Sequence, residues 1–491
     1  MTDRTIATLD MNSLQRSRCS FCHYIDLHQG QQAFDDQSKR MNTKSQLAQL
    51  GLFDARVPRY TSYPTAPQFS GAVGPQDFRD WLGTIAPGDE ISLYLHVPFC
   101  RRLCWFCACR TQGTSSESPV LAYVETLKAE LAMLRAALPE GVTLSRLHWG
   151  GGTPTLMPAD AMRDLAAAIF AVTPLAKNAE FSVEIDPNEI DGARLDALAE
   201  AGMNRASIGV QDFDPDIQEI IGREQSYEVT RAAVEAIRAR GVHSLNADIL
   251  FGLPYQTKER LSDSVQKLLS LSPDRVALYG YAHVPWMARR QQMIPSDTLP
   301  RPEERLALFE TANQLFSWDG YVDIGIDHFA RPDDGLAVAA KNGTLRRNFQ
   351  GYTDDRSEVL IGLGASSISR FPQGYAQMNS ATSAWGKAVQ SGEFAIKRGH
   401  AFTGQDRLRA QIIEGLMCDF TVSTEALLRD YDVTRADLDA MFAPVAETFQ
   451  NFVSHTSEGL EIPTEGRALT RMIAARFDAY AMERASHSSA I

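Results

Sequence analysis

Four cysteines stand within ten residues, Cys100-Arg-Arg-Leu-Cys104-Trp-Phe-Cys107-Ala-Cys109, directly after the apolar run 91–97. Thiolates at this spacing suit an iron–sulfur cluster, but the C-x3-C-x2-C set of Cys100, Cys104 and Cys107 offers three ligands where four are usual. One iron is then left open for a small molecule, and that makes the cluster a catalyst where four thiolates would make an electron carrier. A loop this short folds three sulfurs around one cluster, and the preceding strand fixes where the loop sits. The competing readings are weaker. Zinc wants four ligands, usually as two separated Cys or Cys/His pairs, and a disulfide wants an oxidising compartment. A strand running into a cysteine loop favours the cluster.

Further polar groups recur at matching places along the chain. Trp149-Gly-Gly-Gly-Thr-Pro154 follows a second β-like run, and consecutive glycines let a backbone approach a ligand closely. Val183-Glu-Ile-Asp-Pro187, Gly209-Val-Gln-Asp-Phe213 and Asp248-Ile-Leu-Phe-Gly-Leu-Pro254 close the next three runs. Any one of these carboxylates could be a helix cap and the glycines a plain turn. Four strand ends in succession read instead as a ligand site ringed by loops.

The elements that must position these groups alternate. β-like runs at 91–97, 146–149, 180–185, 204–209, 243–250 and 275–281 are separated by helical periodicity, as at 120–138, 159–172, 189–201 and 258–271. Gly202 sits where a helix C-cap glycine belongs. Mostly apolar strands joined by helical crossovers imply a parallel sheet. Six units predict an α/β fold, a partial (β/α)6 barrel over 90–375, with chemistry at the carboxyl ends of its strands. Residues 1–40 read as a polar leader and 41–89 as an N-terminal extended segment. Residues 376–491 read as a small α-rich domain with helices at 405–417, 423–431 and 435–449, a hairpin at 452–462 and a last helix at 464–485.

Composition sets outer bounds. The 491 residues exceed one compact domain, and the net charge of −13 argues against a general nucleic-acid binder. No apolar run spans a bilayer and the first residues lack a secretory core, so a cytoplasmic protein is expected. Cys418 reads as a buried small hydrophobe. Cys19-Ser-Phe-Cys22-His23 matches the c-type haem attachment pattern, but in a Gln-, Asp- and Ser-rich stretch it reads as chance.

Beyond the general radical S-adenosylmethionine (SAM) loop, the chain carries Arg59-Tyr-Thr-Ser-Tyr-Pro-Thr65, the extra Cys109, Ile221-Gly-Arg-Glu224, Asp327-His-Phe-Ala-Arg-Pro-Asp333 and Asn348-Phe-Gln-Gly-Tyr352. In these it resembles the oxygen-independent coproporphyrinogen III oxidase family of radical SAM enzymes, from about residue 55 to 485. The resemblance implies that Cys100, Cys104 and Cys107 bind a 4Fe–4S cluster. It implies one SAM contacted by Tyr94, Gly151, Glu184 and Ile368. A second SAM would meet Phe106, Gly152, Thr153, Gln211, Arg223, Asp248 and Ala282, and Cys109 would act in catalysis outside the cluster. The implied reaction turns two propionates of coproporphyrinogen III into vinyl groups, with electrons from a reductase or flavodoxin-type donor. The implied protein is a monomer that touches neither membrane nor nucleic acid. The related haem chaperones, which bind haem without this reaction, lack the fourth cysteine and the Arg59–Thr65 segment. The substrate carries four carboxylates, so an acidic protein must place cations locally; Arg59, Arg101, Arg102 and Arg331 are the candidates.

Overall fold

The computed structural model describes residues 45–480 and 489–491. The chain divides between Leu52 and Phe53 into two compact units. In the first, the described residues begin with a short helical stretch at 45–49. The leader, with Cys19 and Cys22, lies outside the described residues.

The second unit is built on one twelve-stranded sheet. Strands β1 (Glu90–Val97), β2 (Thr143–Gly151), β3 (Leu175–Ile185), β4 (Arg205–Gln211), β5 (Ser244–Phe251) and β6 (Arg275–Gly280) run parallel in chain order. These are the six expected units of the partial barrel. Beyond β6, β7 (Val322–Ile324) and β8 (His328–Ala330) add antiparallel strands. On the other side, β9 (Leu360–Leu363) pairs in parallel with β1, and β10 (Ile368–Phe371), β11 (Gly374–Met378) and β12 (Ile396–Ala401) follow antiparallel. The sheet therefore runs on to Ala401, past the boundary expected at 375. Hairpin pairing of β11 with β10 and of β12 with β11 carries it there.

The expectation of mostly apolar barrel strands needs correction. Leu93, Leu95, Leu147, Trp149, Phe181, Val183, Ala206 and Ile208 face outward into one buried cluster with helix residues Leu127, Leu165, Ile169, Leu198, Val265 and Leu268. The alternate residues face inward and are polar. Arg205 Nε lies 2.8 Å from Glu180, Arg146 Nη2 3.0 Å from Asp354, and Arg275 Nε 2.6 Å from Asp334. Period-two alternation thus splits each strand into an apolar outer face and a polar inner one. The helices that cover the outer face stop where their sequences say: Asp191 caps one by accepting from Arg194 N, and Gly202 ends it at φ +91°.

After the sheet come the expected helices, as Asp406–Cys418, Thr424–Asp430 and Arg435–Phe449, and the expected hairpin, as Ser454–His455 paired antiparallel with Gly459–Glu461; Thr421–Ser423 joins it as a third strand. Cys418 is buried, as expected. The single helix expected at 464–485 is instead a run of short turns, Thr464–Leu469, Thr470–Ala474 and Ala475–Phe477. Arg471 within it is buried and donates to the Pro58, Val57, Ser489 and Ala490 carbonyls.

Candidate active site

The cysteine loop is a ring closed at its neck. Phe99–Cys100 pairs in parallel with Gln112–Gly113, and Thr114 N donates to Cys100 O at 3.0 Å. Its middle is held from outside. Trp105 N donates to Ile221 O at 2.9 Å, and the indole lies where a Cβ on Gly222 would meet it at 3.0 Å. Cys104 is buried, Cys100 and Cys107 are half-buried, and Cys109 is exposed. Burial pushes the Cys100 thiol up to about 11. Burial also raises Cys104, although Arg223 Nη1, 3.5 Å from its sulfur, opposes this. Cys107 falls to about 6 because it accepts from the Cys109 thiol.

These residues fit a cluster better than a single ion. Around one zinc, at about 2.3 Å per bond, thiolates crowd together. Among the described residues no three His, Cys, Asp or Glu side chains converge in that way. Cys100, Cys104 and Cys107 are nonetheless close enough to influence one another electrostatically. Three thiols from one loop can give one thiolate to each of three irons.

The glycine run packs against the root of this loop. Gly152 N donates to Val97 O at 2.9 Å and Thr153 N to Phe99 O at 2.7 Å; a Cβ on Gly152 would sit 2.5 Å from Phe99 O. Gly151, at φ +109°, leaves room for the His96 ring and donates to Glu184 Oε2 at 2.9 Å. His148 Nε2 lies 3.3 Å from Glu184 Oε1. Burial would raise the Glu184 pKa, but the His148 bond and charge and the Gly151 N–H together hold it below the ordinary carboxylate range. Tyr94 stacks on His148 at 5.6 Å and hydrogen-bonds His96 Nδ1 at 2.9 Å.

The other predicted residues line the same end of the barrel. Gln211 turns at φ +69° and lies over Gly209. Arg223 donates to Gly209 O and to Gln225 Oε1, both at 2.9 Å, and pairs with Asp186 at 3.5 Å. Asp248 accepts from Asn246 Nδ2 at 2.9 Å, yet burial lifts its pKa to about 6, with Glu184 adding to the rise. Phe106 and Ala282 are joined by a residue that sequence reasoning missed. Gln291 is buried, and its Nε2 donates to Phe106 O at 2.7 Å and to Ala282 O at 3.0 Å. Arg290 beside it donates to Cys109 O at 3.0 Å. His96, His148, Gln291 and Arg290 carry no motif, and only their neighbours in space reveal them. Ile368 opens β10, on the far side of β9 from β1.

The candidate arginines divide. Arg59 is held inside, donating to Gly280 O at 2.7 Å at the carboxyl end of β6. Arg101 donates to Thr114 O and pairs with Glu189 at 3.6 Å, while Arg102 is exposed. Arg331 does not reach the mouth. It follows β8, whose Ala330 pairs with Arg275 at the amino end of β6, and it binds Asp319 and lies over Tyr321. The antiparallel direction of β8 carries it to the wrong end of the barrel.

Residues 94–268 match the radical SAM superfamily. The chain is 66% identical over 451 residues to the oxygen-independent coproporphyrinogen III oxidase of Paracoccus denitrificans, covering 92% of this chain and 100% of that protein. It is 59% identical over 440 residues to the protein of that name from Cereibacter sphaeroides, covering 90% and 98%. The solved structure of coproporphyrinogen III oxidase from Escherichia coli, described as a radical SAM enzyme, superposes with a TM-score of 0.82 at 35% identity, over 87% of this chain and 100% of that one. With the thiol loop, the partial barrel and these near full-length likenesses together, the chain belongs to the oxygen-independent coproporphyrinogen III oxidase family of radical SAM enzymes.

Proposed function

We propose that this protein converts two propionate side chains of coproporphyrinogen III to vinyl groups, giving protoporphyrinogen IX without oxygen. The observation that carries the reading is the three-thiol loop with an exposed fourth thiol, Cys109, set beside Glu184 on a polar inner face. A chaperone reading would have to do without Cys109 and the Arg59–Thr65 segment, and both are here.

Cys100, Cys104 and Cys107 would hold a 4Fe–4S cluster. When bound, it supplies the electron that splits SAM, and the 5′-deoxyadenosyl radical so formed removes a hydrogen atom from a propionate β-carbon, which then loses CO2 and one electron. The chain's own residues supply position and charge. The Gly151 N–H and His148 fix the Glu184 carboxylate as an anion, suited to an ammonium or sulfonium group. Tyr94 and the glycine run would shape the remainder of that SAM site, with Ile368. Phe106, Gly152, Thr153, Gln211, Arg223, Asp248 and Ala282 form the adjoining wall, which we assign to a second SAM. Two propionates need two radical events, so two SAM per active site match the stoichiometry. Cys109 would serve the substrate radical, since Cys107 would supply the third thiolate.

A reductase or flavodoxin-type donor would supply the electrons, and the protein would act as a cytoplasmic monomer without nucleic acid or membrane. Among the described residues no helix is long and apolar enough to cross a membrane. The test is an anaerobic reaction of the reconstituted protein with SAM, dithionite and coproporphyrinogen III, read by mass spectrometry. Loss of two CO2 per porphyrinogen is expected. An intact tetracarboxylate alongside active SAM cleavage would overturn the reading.

A further inference from the structure

The inner face of the sheet continues past β1 onto the strands β9 to β12. Register places Ser92 beside Leu360, Leu360 beside Arg370, and Arg370 beside Tyr375. Paired residues share a face, so Arg370 points to the same side as Ser92 and Tyr94. The alternates Ile361, Leu363, Phe371 and Ala376 are buried in the outer apolar cluster. Over this face lies a shallow cleft walled by Arg346, Arg347 and Arg370, with Thr61, Asn348 and Thr353 as further polar groups.

Two cations of this cleft are incompletely paired. Among the described residues the Arg370 guanidinium makes no hydrogen bond or ion pair, although its backbone pairs with Leu360 and Tyr375. Arg347 is 7% exposed and lies over the Tyr352 ring at 4.3 Å, but its Nε and Nη1 find no hydrogen-bond acceptor, and Asp327 is 4.0 Å away. Arg346 donates to Arg356 O at 3.4 Å and reaches Glu414 at 4.0 Å. The one carboxylate that lines the cleft, Asp355, is engaged by the Ser92 hydroxyl and by Ser357 N at 3.0 Å. Leaving a buried guanidinium half-satisfied costs free energy unless a ligand completes it.

We propose that this cleft is a carboxylate-binding subsite, in which Arg370 and Arg347 hold a propionate of the substrate that is not the one reacting. The proposal rests on the function given above and adds where the substrate is gripped. A guanidinium matches a carboxylate by bidentate geometry, two parallel N–H groups meeting its two oxygens. Ile368 and Arg370 share a face of one strand two residues apart, so the subsite lies about 7 Å from Ile368 toward the amino end of β9, within the span of one porphyrinogen. Arg370 and Arg347 act here as positioning residues.

The test compares wild type with Arg370→Gln and Arg370→Lys as reconstituted holoenzymes. The probes are coproporphyrin III, a stable tetracarboxylate, and its uncharged tetramethyl ester, each titrated by fluorescence. We expect Arg370→Gln to weaken coproporphyrin III binding at least tenfold, Arg370→Lys to recover part of it, and the ester to bind all three alike. The KM for coproporphyrinogen III should rise with kcat less affected, while iron content and substrate-free SAM cleavage stay at wild-type levels. Arg370 is half-buried, so its variants should fold, and the iron content checks this. Equal coproporphyrin III affinity in wild type and Arg370→Gln, or an equal loss for the ester, would overturn the subsite. Competition by inorganic phosphate without any loss of porphyrin affinity in Arg370→Gln would mark the cleft as a general anion site and also overturn it. A wild type that leaves coproporphyrinogen III unchanged would instead overturn the function.

Discussion

The two halves of one sheet face differ in the charged groups they set near the site. Strands β2 to β6 present Glu184 and Asp248 at their carboxyl ends, with His148 and Asn246 fixing those carboxylates. Strands β9 to β12 contain no Asp or Glu, and their inner face holds Arg370 and Arg398. A sulfonium is favoured by a nearby carboxylate and a propionate by a nearby guanidinium, so the two halves suit different partners. The protein is acidic overall, so the difference arises from placement and not from composition.

Breaking the first half should have the largest effect. Cys104→Ser is expected to lose cluster iron and sulfide and to abolish 5′-deoxyadenosine formation, read by iron analysis and chromatography. Full retention of iron would remove Cys104 from the ligand set. Next comes Glu184→Gln, which keeps the shape but removes the anion. It should weaken SAM binding about tenfold or more, given about 1.5–3 kcal/mol for a charged hydrogen bond, whereas Arg370→Gln should leave SAM binding alone. Equal SAM affinities in Glu184→Gln and wild type would dissolve the contrast between the halves.

Gly152→Ala probes the joint between glycine run and loop. Its Cβ would meet the backbone oxygens of Phe99 at 2.5 Å and Val97 at 2.8 Å, which cannot move aside as a flexible side chain can. A loss of roughly 1–3 kcal/mol is expected, visible as a lower Tm and poorer iron retention. An unchanged Tm would show that the loop root yields freely.

The smallest effect concerns how the second half is fastened. Buried Glu130 accepts from Gly364 N at 2.8 Å, just beyond β9, and from Trp385 Nε1 at 3.0 Å. Burial raises its pKa from 4.5 to about 7. A raised carboxyl pKa means the folded state binds the proton more tightly than the unfolded state. The contribution is therefore full below about pH 4.5 and is lost as pH rises to about 7. Denaturation of wild type and Glu130→Gln across that window should show a downward slope in the wild type that the variant lacks. Parallel curves would mean that Glu130 does not titrate on unfolding in that range.

The cysteine loop and the strand ends bearing Glu184, Gln211 and Asp248 were legible because each lies within a few residues of the element that holds it. Local spacing and a terminating turn suffice there. Gln291 was invisible because its two carbonyl partners lie 185 and 9 residues away, on different segments.

The chain's sequence by itself determined the six strand–helix repeats and the three thiols in one loop, since both are local patterns. Tertiary structure alone decided which arginines face the cavity. Arg331 sits in a conspicuous motif, yet the antiparallel pairing of β8 takes it to the amino end of the barrel. Arg370 sits in an unremarked four-residue strand, and the register of that strand against β9, and of β9 against β1, turns it inward. A one-residue slip would have turned it outward. Direction and register are set by hydrogen bonds between segments far apart in the chain, and no local pattern encodes them.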